Sequence, residues 1–168
     1  MKKKTAAITA CIAVAASCFA PAQAAGFAAK ESWTRGAEGV NKFIDSQDCT
    51  FMRGHAPMMG YVPGSTFEQA KAAVNANPII DEYMSRRIDQ GAGTRAKMVP
   101  PAVRQDLIEL GIAGTLKKVA DCNLIADPDN TADKEYDAAL AKGNAAHTTI
   151  DPAGVVAEIP FVIQSFSS

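Results

Sequence analysis

Soft metal ligands gather once in this chain, in Met52-Arg53-Gly54-His55-Ala56-Pro57-Met58-Met59. Thioethers beside an imidazole suit copper, above all Cu(I), because polarizable ligands match a soft ion. His55, Met52 and Met59 are the candidate ligands of such a centre. A plainer account covers the same residues, since Met commonly fills gaps in cores and one His in a Pro/Gly-rich segment is ordinary. A second cluster, Asp127-Pro128-Asp129-Asn130-Thr131-Ala132-Asp133-Lys134-Glu135, sets oxygen ligands at alternate positions, like the opening of a calcium loop. The pattern breaks at Ala132, where the turn needs Gly, and at Ala138, where a bidentate Glu belongs. Acids at the start of a helix, facing the positive end of its dipole, explain the cluster without an ion.

Catalytic signatures are sparse. The histidines His55 and His147 stand far apart, and the chain contains no G-x-S-x-G, H-E-x-x-H or Walker-type loop. His147-Thr148-Thr149 close to Asp151 offers a local acid/base pair, for which a polar turn is the simpler reading. No catalytic residue is assigned and no cofactor is expected. A small secreted enzyme without a recognisable motif remains one alternative, and a copper-binding protein another.

The elements that would position these groups belong to an exported chain. Lys2, Lys3 and Lys4 form a positive start, Thr5 to Ala20 is uncharged and Ala-rich, and Ala22-Gln23-Ala24 matches a signal-peptidase site. Residues 1–24 therefore read as a cleavable secretion signal, too short and too weakly apolar for a transmembrane anchor. A lipoprotein is the alternative, through Ile8-Thr9-Ala10-Cys11 or Ala15-Ala16-Ser17-Cys18. The whole chain of 168 residues carries 17 basic and 18 acidic side chains, a net charge of -1. Without the signal it loses three lysines and no acid, leaving 144 residues at a net charge of -4. Such a balance excludes the basic surplus of a nucleic-acid binder. The expected location is periplasmic or secreted.

Cys49 and Cys122 are the cysteines of the mature chain. An even count in an oxidising compartment predicts a disulfide between them, and no C-x-x-C motif suggests a redox role. Residues 25–168 read as a single compact, mainly α domain of about five helices. Ala28 to Ser46 places Trp33, Ala37, Val40, Phe43 and Ile44 at helical steps. Cys49 to Gly64, punctuated by Gly54, Pro57, Gly60 and Pro63, reads as a loop. Ser65 caps a second helix with Glu68 three positions on, and Asn77-Pro78 opens a third that Gly91 and Gly93 end. A fourth runs from Pro101 to Cys122, and a fifth from Thr131 to Lys142 with Gly143 as its stop. Val155 to Phe166, interrupted by Pro160, predicts an extended segment or edge strand.

A small exported helical domain with two cysteines resembles the acid-stress periplasmic chaperones. Pro63-Gly64-Ser65-Thr66-Phe67-Glu68-Gln69, followed by Asn77-Pro78 and a late helix ending in Cys122, resembles small immunity proteins that neutralise toxins delivered to the periplasm. The likeness transfers no functional residue. Export and a stapled fold, with no catalytic constellation, point to a disulfide-stabilised helical protein that acts by binding another protein, such as an immunity, inhibitor-type or chaperone-like molecule. The candidate contact loop holds Phe51, Met52, Met58, Met59 and Tyr61, because aromatics and Met are enriched at interfaces.

Overall fold

The protein is described by a computed structural model covering Gly26 and residues 28–148. The segments read as a secretion signal and as a C-terminal extended segment, and Asp151, lie outside these described residues. Six α-helices account for the architecture: α1 (residues 28–45), α2 (Cys49–Met59), α3 (Phe67–Asn75), α4 (Pro78–Ala92), α5 (Pro101–Asp121) and α6 (Thr131–His147). A 3₁₀ turn, Gly93–Met98, joins α4 to α5. The described residues contain no strand, only a parallel bridge between Thr66 and Ala126. The mainly α reading stands.

Helix α5 is the axis of the fold. Val103, Leu107, Leu110, Leu116 and Val119 are all but fully buried, and burial extends around the helix to Gly111 and Gly114. A helix buried around most of its circumference must be wrapped by others. Helix α6 runs antiparallel along it, since Lys117 pairs with Asp133 at one end while Lys142 and His147 pair with Asp106 at the other. Helix α1 lies parallel to α5, meeting it where Gly36 faces Leu107 and Gly114 faces Ile44. Helix α4 crosses on the remaining side, with Met84 against Gly111 and Asp89 bound by Arg104 at 2.6 Å.

The Cys49–Cys122 disulfide joins the first residue of α2 to the end of α5, with Cα atoms 5.4 Å apart. Nearby, Gly64 N donates to Leu124 O, Phe67 N to Ala126 O, and Ala126 N to Ser65 O, at 2.7, 3.0 and 2.8 Å. These bonds lace the α2–α3 connection to the α5–α6 connection, so one end of the bundle is closed both covalently and through the backbone.

Three boundaries differ from expectation. The segment read as a loop is helix α2: Asp48 caps it by accepting from Phe51 N, and Gly60 ends it at a φ of 86°. Pro57 sits inside its last turn, and Met52, Ala56 and Met59 form the buried face. The cap of α3 is Thr66 rather than Ser65, with Gln69 closing the capping box by accepting from Thr66 N. Helix α6 continues past Gly143 to His147 because that glycine faces inward. A Cβ there would collide with the Trp33 ring, so the residue is a notch for the indole and not a stop.

Candidate functional site

Helices α1 and α4 both rest on α5, and a cavity of about 620 Å³ lies between them. Its floor is Leu107 and Gly111 of α5, and its walls carry Val40 and Ile44 from α1 and Met84 and Ile88 from α4. Both ends are bridged. At one, the Phe43 and Tyr83 rings stand 6.3 Å apart and Arg87 stacks 4.6 Å from the Phe43 centroid. At the other, Arg95 reaches Glu31 at 3.2 Å. Gly39 and Gly91 line it with open space beside them, since a Cβ at either would meet nothing within 4 Å. A volume of this size, with an apolar floor and a few polar groups at the rim, has the form of small-molecule sites, which span roughly 300–1,000 Å³.

The rim is cationic. Arg35 and Arg95 share one carboxylate, Glu31, at 3.0 and 3.2 Å. Arg87 donates through Nε and Nη2 to the Tyr83 hydroxyl, at 3.2 and 3.0 Å, and through Nη1 to Gln90 Oε1 at 3.2 Å. None of the described carboxylates pairs with it. Three guanidinium groups against one carboxylate leave this rim positive on a chain whose total charge is -1.

The candidate loop residues fall elsewhere. Met52, Met59 and Tyr61 are buried, Phe51 is half-buried, and Met58 alone among them is exposed, at 41%. The Tyr61 hydroxyl donates to Met52 O at 3.0 Å, and burial pushes its pKa up. His55 stacks on Phe51 with centroids 3.8 Å apart, and its Nδ1 lies 2.9 Å from Phe51 O. Because Met52, His55 and Met59 share one side of α2, they border a void of about 30 Å³ together with Met58 and Met84. The proposed copper ligands are thus neighbours, on a helix and facing the core instead of on a loop facing solvent. The calcium-like cluster serves as a cap: Asp127 accepts from Thr131 N and Ala132 N, at 2.8 and 2.9 Å, at the start of α6.

His147 has a partner that sequence reasoning missed. Its Nε2 lies 2.6 Å from Asp106 Oδ2, while Lys142 reaches Asp106 Oδ1 at 3.0 Å and Glu109 at 2.6 Å. The imidazole also faces the Trp33 ring at 5.5 Å, and both members of the His–Asp pair are largely buried, at 8% and 13% exposure. Burial by itself would raise the Asp106 pKa, but hydrogen bonds and positive charge from Lys142 and His147 outweigh it and hold the carboxyl below its ordinary value. A depressed folded-state pKa contributes stability above the unfolded carboxylate pKa and loses it as pH falls through the folded value. Asp106→Asn should therefore cost about 1–2 kcal/mol at neutral pH, a deficit that shrinks as pH falls through and below the ordinary carboxylate range. Urea midpoints of the two proteins across that range check this. An equal deficit at both ends would show that the charge on Asp106 contributes nothing.

No described helix is long and apolar enough to cross a membrane. No protein-family model, curated protein or solved structure matches this chain.

Proposed function

We propose that this chain is an exported, periplasmic binding protein whose working surface is the groove between α1 and α4. One observation carries the reading: a cavity of about 620 Å³ with an apolar floor, bridged at both ends and unfilled by any described side chain. Folding normally closes such spaces, because a lined void forfeits dispersion contacts. An open groove at the meeting of three helices, with free space beside the lining residues Gly39 and Gly91, leaves room for an apolar guest. The export segment and the disulfide supply the context, a protein built to stay folded in an oxidising compartment.

The test is to plug the groove without disturbing the fold. Gly39→Leu projects an alkyl group into open space and also gains up to about 1 kcal/mol of helix propensity. Nile red, a neutral apolar dye, should bind the wild type with a rise in fluorescence and bind Gly39→Leu at least about tenfold more weakly, a loss of some 1.4 kcal/mol. Equal binding by a folded Gly39→Leu would remove the groove from consideration.

A second reading, in which another protein is the partner, draws on one feature. The Asn77 side chain donates to Met58 O at 2.7 Å and accepts from Ile79 N at 3.1 Å, holding the end of α2 beside the start of α4. Met58 and Ile79 are both large, apolar and exposed there, at 41% and 55%. Paired apolar exposure of this kind favours an interface.

A further inference from the structure

We infer that the occupant of the groove is a single-chain anionic amphiphile, a long-chain fatty acid bound with its carboxylate at Arg87. The inference rests on the groove being the working surface, and it adds the charge and shape of the guest.

Shape comes first. The α1 residues that line the cavity run from Ala28 to Ile44, roughly 24 Å of helix at the usual rise. Small and apolar residues recur along this track, from Ala28, Gly36 and Gly39 to Val40 and Ile44, with Leu107, Ile88 and Met84 also lining it. Glu31, Ser32 and Arg35 are the polar members on α1. An unbranched alkyl chain fits such a track and loses water along most of its length, which supplies the apolar driving force. A compact ring would cover only part of it.

Charge decides the head group. Arg87 closes one end of the track, its guanidinium fixed between the Phe43 and Tyr83 rings at 4.6 and 5.2 Å from their centroids. Its acceptors among the described residues, the Tyr83 hydroxyl and Gln90 Oε1, are neutral and use three of its five N–H groups. A cation held in place beside an apolar surface, with N–H groups left to donate and no carboxylate partner among the described residues, is a ready anchor for a planar anion. Arg35 and Arg95, sharing Glu31, add to the positive field at the other end. A neutral lipid would leave that field unused, and a cationic one would be repelled by it.

The experiment compares palmitate with hexadecanol, which carries the same alkyl chain and no charge, by displacement of Nile red from the full-length mature protein. Wild type should bind palmitate about tenfold or more tightly than hexadecanol, the advantage of a charge-assisted contact. Arg87→Gln should bring the two ligands to nearly equal affinity by weakening palmitate far more than hexadecanol, and retained hexadecanol binding shows the groove intact. Gly39→Leu should weaken both. Equal affinity of wild type for the two ligands, or a palmitate preference that survives Arg87→Gln, would overturn the assignment while leaving the groove as an apolar site. Failure of Nile red and both ligands to bind would instead sink the groove reading itself. A concentration-dependent dimer disrupted by Gly39→Leu would hand the groove to a second copy of the chain and overturn the fatty-acid assignment as well.

Discussion

Replacing Cys49 and Cys122 together by serine should lower the unfolding free energy by about 4 kcal/mol, the chain-entropy value for a crosslink spanning this much chain. The two cysteines are separated by 73 positions, so the bridge restrains nearly everything from α2 through α5 in the unfolded state. In the folded state the same junction is held by backbone hydrogen bonds from Gly64, Phe67 and Ala126. The double variant should consequently reach the same helical fold, with unchanged far-ultraviolet circular dichroism, and unfold at lower urea. A domain of this size has some 5–15 kcal/mol to lose, so the loss is a large share of the whole. Addition of reductant to the wild type should reproduce it. A change below about 1 kcal/mol would mean that the junction is already restrained in the unfolded chain.

Trp33→Ala should cost about 3–5 kcal/mol, the range for deleting a buried aromatic. The indole is 1% exposed and joins α1 to α6. Its Nε1 donates to Asn144 Oδ1 at 2.8 Å, its ring lies over the Gly143 backbone, and its face meets the His147 imidazole. Removing it leaves a void, and this is the main penalty, because the exposed Asn144 amide can turn to water. Local repacking is limited, because Gly143 offers no side chain to move into the space. As Trp33 is the single tryptophan, its own fluorescence follows wild-type unfolding while circular dichroism must follow the variant. A cost under about 2 kcal/mol would show that α1 and α6 close over the gap.

How much of this was legible beforehand depended on how local the signal was. Asn77-Pro78 and Pro101 announce helix starts within a few residues, and α4 and α5 begin there. The disulfide followed from an even cysteine count once the export segment was set aside. Helix α2 was hidden because Gly54 and Pro57 are breakers on propensity. Tertiary burial of Met52, Ala56 and Met59, with caps at Asp48 and Gly60, overrides them. Gly143 misled in the same way, since a glycine that ends a helix and one that seats a neighbouring ring look alike in sequence.

The candidate site was less legible still. His147 lies beside Asp151 in sequence, but its observed partner, Asp106, is 41 positions away and is brought near only by the antiparallel run of α5 and α6. The groove leaves no motif, for it is a space between helices, bounded by Gly39 and Gly91 and rimmed by arginines from α1, α4 and the 3₁₀ turn. Arg87 resembles any exposed basic residue until Phe43 and Tyr83 are seen around it. The methionine cluster drew notice as chemistry, yet Met52 and Met59 proved to be core residues of an unforeseen helix.

The most direct measurement is titration of isotope-labelled full-length mature protein with palmitate, followed by backbone amide chemical shifts. The largest shifts should fall on the lining glycines Gly36, Gly39, Gly91 and Gly111 and on Phe43 and Arg87, with α2 and its methionines unaffected. Shifts centred on Met58 and Ile79, or no saturable shifts at all, would contradict the claim that the α1/α4 groove is where this protein does its work.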